Sequence, residues 1–136
     1  MAVLRLIMKI KWFDSFPENP SNPAQTNMST GEIEINRSVY DLLPSYMKEF
    51  VLNHEIGHYV LKTLNEEKAD DYALSKMALK SEYSLKHHID SVYYLARDDV
   101  KRKYHALLSV LTIMANLGDK EAIELLKSKQ HGQTEN

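Results

Sequence analysis

The run His54-Glu55-Ile56-Gly57-His58 decides how this chain is read. On a helix, residues four apart share a face, so the two imidazoles stand one turn apart and can share a tetrahedral metal ion. The carboxylate of Glu55 lies beside them, placed to act as a base on water at the metal without binding the ion itself. Met47, Phe50, Val51, His54 and Leu61 recur near the 3.6-residue period, which predicts an amphipathic helix over Ser45–Leu61, opened by Pro44 and Ser45. Gly57 costs about 1 kcal/mol against alanine inside a helix, so its place beside the second histidine predicts the close approach of another backbone.

The next helix is expected to supply that neighbour. Asn65 can cap a helix running through Glu66-Glu67-Lys68-Ala69-Asp70-Asp71-Tyr72-Ala73. One face of it carries Glu66, Ala69, Asp70 and Ala73, two acids separated by two small side chains. Small residues let helices approach, and acids complete metal sites. Glu66 is therefore expected as the third zinc ligand, with Glu67 its nearest rival, and Asp70 as an acceptor that orients a ligand histidine through its other ring nitrogen. The chain has no cysteine, which excludes thiolate ligands and disulfides.

HEIGH followed by Glu66-x-x-Ala69-Asp70 resembles the gluzincin metallopeptidases, which combine HExxH with a glutamate helix written ExxxD or ExxA(D/N). The resemblance implies that His54, His58 and Glu66 hold zinc, that Glu55 is the general base and that Asp70 supports His54. Within that clan the short spacing, a strand over 31–36 and the Ala69-Asp70-x-Tyr72-Ala73 run most resemble small bacterial and phage proteases of the ImmA/IrrE type. The similarity covers roughly 31–73. Metzincins are excluded, since they need Gly and His three and six residues past the second His, where this chain has Leu61 and Leu64. The implied activity is that of a zinc-dependent endopeptidase of narrow specificity acting on a peptide or protein. The resemblance also implies that the strand over 31–36 borders the cleft and offers substrate a free edge. A Tyr, His or Arg from later helices would bind the developing oxyanion, and Tyr104, His105 and Arg97 are the candidates.

The rest of the chain bounds these readings. An apolar content of 43% over 136 residues suffices for one domain with a real core. A net charge of -2 gives no electrostatic case for nucleic acid. The apolar stretch 1–10 is broken by Arg5 and Lys9, is too short to span a bilayer and lacks a small-residue cleavage site, so a cytoplasmic protein without membrane attachment is expected. Alternation over 4–12 predicts a half-buried strand with Ile10 and Trp12 inward, and 31–36 predicts another with Ile33 and Ile35 inward. Between them 14–30, with Pro17, Pro20 and Pro23, reads as a mobile surface loop, with a hidden short strand or a lid as alternatives.

A helical turn is expected over 39–43. Later stripes predict packed helices, one with Leu85, His88, Ile89, Val92 and Ala96, another with Val100, Tyr104, Leu107, Leu108, Leu111 and Ala115. Gly118 closes the second and Asp119 caps a last short helix, with 128–136 a frayed, flexible polar tail. His87, His88 and His105 read as packed or surface histidines, and Tyr83, Tyr93, Tyr94 and Tyr104 as core or interface residues. The expected fold is α+β: a minimal zincin-like core over 1–80, with a small antiparallel or mixed sheet, the metal helix and the glutamate helix, and a helical extension over 81–127. Those fifty-odd residues also motivate a second reading, a zinc-stabilised regulatory or structural protein that binds a partner through its C-terminal helices without proteolysis.

Overall fold

Three short strands build one sheet, β1 (Ile10–Phe13), β2 (Ala24–Thr26) and β3 (Ile33–Asn36), in the order β1-β3-β2. The computed structural model describes residues 9–77 and 84–135, so the start of the first predicted strand, the end of the glutamate helix and Tyr83 lie outside the described residues. β1 runs parallel to β3, with Ile10 opposite Ile33, and β2 runs antiparallel, with Ala24 opposite Ile35 and Thr26 opposite Ile33. Ile33 and Ile35 are buried as their alternation requires. Trp12, expected inward, is exposed instead; its ring meets Tyr40 edge-on at 5.9 Å and the Arg37 guanidinium at 4.9 Å.

Two expectations about this sheet are corrected. β3 is the inner strand, paired on both sides, so it has no free edge to offer; β2 is the strand that flanks the metal helix. In the segment 14–30 the mobile-loop expectation gives way to its alternative, a hidden short strand, since the segment contains β2 and is tied to the sheet by Asn36. The buried Asn36 amide donates to the carbonyls of Pro20 at 3.1 Å and Asn22 at 3.0 Å, and its backbone N–H donates to Pro23 at 2.8 Å. The prolines, which cannot donate to a ladder, sit outside the strands.

A short helix α1 (Arg37–Tyr40), capped by Asn36, leads to Pro44 and to α2 (Ser45–Leu61). α2 has the predicted bounds and ends at Lys62, whose φ of 51° is left-handed. Its inner face buries Met47, Phe50, Val51, His54, Ile56, Gly57 and His58. α3 (Glu66–Met77) starts under the Asn65 side chain, which accepts from Lys68 N–H at 2.9 Å. Ala69, Asp70 and Ala73 are buried where α3 lies on α2. The neighbour that requires Gly57 is on this helix, but it is a side chain and not backbone: a Cβ there would stand 2.9 Å from Tyr72 Cβ.

Three helices follow, α4 (Leu85–Ala96), α5 (Val100–Asn116) and α6 (Lys120–Glu135). α4 packs on α2, α5 on α3 and α4, and α6 on α5. Two apolar clusters result, one joining the sheet to α2, the other joining Phe50 of α2 to Ala73, Leu74 and Met77 of α3, Val92 and Ala96 of α4 and Ala106 of α5. α5 keeps Leu111 of the predicted stripe buried but is rotated from the rest of it: Arg102, Ala106 and Val110 are buried, whereas Val100 and Tyr104 are exposed. The expected polar tail is also corrected, since the helical backbone of α6 runs on to Glu135. Lys, Gln and Glu are good helix formers, and no proline interrupts them. The fold is thus α+β with a helical C-terminal part. Among the described residues no helix is long and apolar enough to cross a membrane.

Candidate metal centre

His54 and His58 project from the inner face of α2 with their Nε2 atoms 3.1 Å apart. Glu66, at the first turn of α3, brings Oε1 to 2.6 Å from His58 Nε2 and 3.4 Å from His54 Nε2. These three side chains form a group that could hold a metal ion, with both histidines buried and Glu66 exposed. Glu67, the rival third ligand, points elsewhere, to His105 Nδ1 at 3.3 Å and Lys101 Nζ at 3.8 Å.

The outer ring nitrogens define the chemistry of the inner ones. His58 Nδ1 lies 2.8 Å from the carbonyl oxygen of Thr63, which can only accept, so Nδ1 carries the proton. His54 Nδ1 lies 2.8 Å from Asp70 Oδ1 and donates in the same way. Each neutral imidazole then turns a bare lone pair inward, and Glu66 adds a carboxylate oxygen. Three acceptors converge with no donor among them, an arrangement that only a cation, a metal ion or a proton, can reconcile. With zinc bonds of about 2.0–2.1 Å, the edge of a tetrahedron is about 3.3 Å. The 3.1 Å and 3.4 Å separations match that edge, whereas the 2.6 Å one is a hydrogen-bond distance that would have to open by about 0.7 Å to admit a metal.

Electrostatics point the same way. Burial lowers the pKa of His54, but its hydrogen bonds to Asp70 and Glu66 outweigh it and bring the value up to about 9. His58 is likewise raised, burial being overcome by the Glu66 contact. Burial opposes charge on Glu66 and Asp70, yet the histidines and Arg102 hold both carboxyls below their usual range. Positive charge is thus stabilised between the two imidazoles.

Glu55 faces the opposite case. Its carboxyl is buried, and burial pushes its pKa up against the pull of His54. Thr26 of β2 anchors it: the hydroxyl lies 2.7 Å from Glu55 Oε1 and 2.9 Å from its backbone carbonyl. The other oxygen, Oε2, is 3.9 Å from His54 Nε2, beside the metal position rather than in it. A cleft of about 260 Å³ opens over His54, Glu55 and Glu66 and is lined by Asn22, Tyr94 and Arg97 as well. A second of about 200 Å³ continues past Glu55, His58 and Glu66 along Thr26, Met28 and Leu64.

The expected ligands, base and support are thus brought together. Of the three oxyanion candidates, Arg97 lines the first cleft with its terminal nitrogens donating to Ser21 Oγ at 2.6 Å and to the Ser21 carbonyl at 2.5 Å, Tyr104 is exposed, and His105 Nε2 is engaged by Asp71 at 2.9 Å. Three residues of this site were not read as part of it from the sequence. Thr26 gives no signal, being a lone threonine in a three-residue strand. Tyr94 was indistinguishable from core tyrosines. Arg102 left a trace, since Arg102, Ala106 and Val110 recur every fourth residue with small side chains between helices. No family model, curated protein or solved structure matches the chain.

Proposed function

We propose that the chain is a zinc-dependent endopeptidase of the gluzincin type, with His54, His58 and Glu66 as ligands and Glu55 as general base. The observation that carries this reading is the convergence of three acceptor atoms next to an anchored, buried carboxylate at the floor of a cleft. Two imidazoles and one carboxylate, without thiolate, are a donor set suited to catalytic zinc. The clefts on both sides of Glu55 suit an extended peptide passing across the site.

Bound there, zinc supplies Lewis acidity, polarising a peptide carbonyl and lowering the pKa of water towards about 7. Glu55 takes the proton from the attacking water through Oε2, while Thr26 keeps Oε1 in place. Having taken that proton, the same carboxyl would deliver it to the leaving amine. Asp70 and Thr63 hold the Nδ1 protons, which fixes the tautomer in which Nε2 of each imidazole is the atom offered to the metal. Arg97 is the oxyanion candidate that lines the cleft, and it would serve the developing oxyanion by exchanging its contacts with Ser21 for substrate.

The test is Glu55→Gln. The variant should retain about one zinc per chain by mass spectrometry and lose roughly 10²- to 10⁴-fold in cleavage of a fluorogenic peptide library. Cleavage at the wild-type rate sinks the mechanism. A full biological effect from the zinc-loaded, inactive variant would favour partner binding instead.

A further inference from the structure

Arg102 enters the metal site from α5, thirty-two residues beyond Asp70, and is itself 5% exposed. Its Nε donates to Asp70 Oδ2 at 2.7 Å and one terminal nitrogen to Asp70 Oδ1 at 2.8 Å, a two-pronged pair. The other terminal nitrogen donates to Glu66 Oε2 at 3.3 Å. One planar guanidinium therefore spans the ligand carboxylate and the carboxylate behind His54. On Glu66 it occupies the oxygen that faces away from the histidines and leaves Oε1 turned towards them. On Asp70 it engages both oxygens, which fixes the plane of the carboxylate and leaves Oδ1 a second acceptor position for the His54 Nδ1 proton.

We propose that Arg102 is a positioning residue of the metal site, presenting Glu66 through a single oxygen and fixing Asp70 on His54, so that the site is complete only when α5 is docked. The inference rests on the metal reading above. It assigns part of the C-terminal helices to the centre itself and gives the buried arginine a task that lysine, with one point of charge and no fork, cannot fully perform. Coupling is reciprocal: whatever docking of α5 adds to metal affinity, the metal returns as protection of α5.

The experiment measures zinc affinity of the full chain by competition with a chromophoric chelator, in wild type, Arg102→Met and Arg102→Lys. Amide hydrogen exchange of α3 and α5 is followed with and without zinc. Removal of an outer partner should weaken zinc on the order of 10- to 100-fold in Arg102→Met, with Arg102→Lys between. Zinc should slow exchange in both helices of wild type but only in α3 of Arg102→Met. If Arg102→Met does not fold, the comparison of Arg102→Lys with wild type carries the test. Unchanged affinity with α5 still protected by zinc overturns this inference alone, as does full rescue by lysine, which would reduce the role to charge. Wild type that takes up no zinc brings down the metal reading and this inference together.

Discussion

Phe50 stands between two buried histidines that its surroundings drive in opposite directions. Its ring centroid lies 6.0 Å from that of His54, on the site side, and 5.5 Å from that of His88, on the helical side. Burial acts on both and lowers the pKa of each. At His88 it wins, because Asp70 and Asp71 act only through space, and the imidazole is held down to about 4. At His54 hydrogen bonds to Asp70 and Glu66 win, and the value reaches about 9. A buried histidine becomes core or site according to whether carboxylates stand at hydrogen-bond distance, not according to its burial.

The largest effect expected from this contrast is on metal loading. His54→Gln removes one of the three proposed ligands, so zinc affinity should fall on the order of a thousandfold or more, beyond the 10- to 100-fold of an outer partner. His88→Gln, on the far side of the same phenyl ring, should load zinc as wild type does. Metal content after dialysis against micromolar zinc checks both. Equal loading by the two variants breaks the distinction.

Stability against pH sharpens it next. In the metal-free protein the folded pKa of His54 lies above the value of about 6.5 of an unfolded histidine, so its contribution is complete below 6.5 and is lost as pH rises towards 9. For His88 the folded value lies below, so nothing is lost above 6.5, and stability falls as pH drops towards 4 because the unfolded chain takes up the proton first. Each span of roughly two and a half units corresponds to about 3 kcal/mol at most. Urea titrations across pH should show both slopes in metal-free protein. Saturating zinc should abolish the alkaline slope, since the folded chain then has no His54 proton to lose, and should steepen the acid slope, since unfolding below 6.5 then also takes up the protons that the metal displaces. An acid slope that persists in His88→Gln would assign it to another group.

The same contrast explains what could be read from the sequence. HExxH and the Glu66-to-Asp70 spacing are local, carried by helix periodicity, and the structure brings those side chains together as spacing alone demands. Bounds of α2 and the Asn65 cap were legible for the same reason. Non-local parts were not. Strand β2 is three residues long, below the length at which alternation is visible, and with it Thr26 was hidden. The inner position of β3 depends on that unseen strand. On α5 the leucine-rich stripe outvoted Arg102, because an arginine scores as a surface residue until its acidic partners on another helix are known.

The smallest effect tests whether the α2–α3 contact is built for the site. Alanine at Gly57 gains about 1 kcal/mol of helix propensity. Against that, its Cβ would meet Tyr72 Cβ at 2.9 Å and the ring carbons Cγ and Cδ1 at 3.0 Å. Cβ of Tyr72 is fixed to the backbone of α3 and cannot rotate away, so the two helices must part by several tenths of an ångström. Overpacking of this kind costs typically 1–3 kcal/mol, leaving a net loss of about 1 kcal/mol. Glu66 and Asp70 move with α3, so zinc affinity should drop with stability. Gly118→Ala is the control: its φ of 92° strains an alanine by about 1 kcal/mol, but no atom lies within 4 Å of the added Cβ, and zinc should be untouched. A Gly57→Ala protein that is stabilised and binds zinc as tightly as wild type would show that the helices have slack, and that the ligand geometry does not depend on their closest approach.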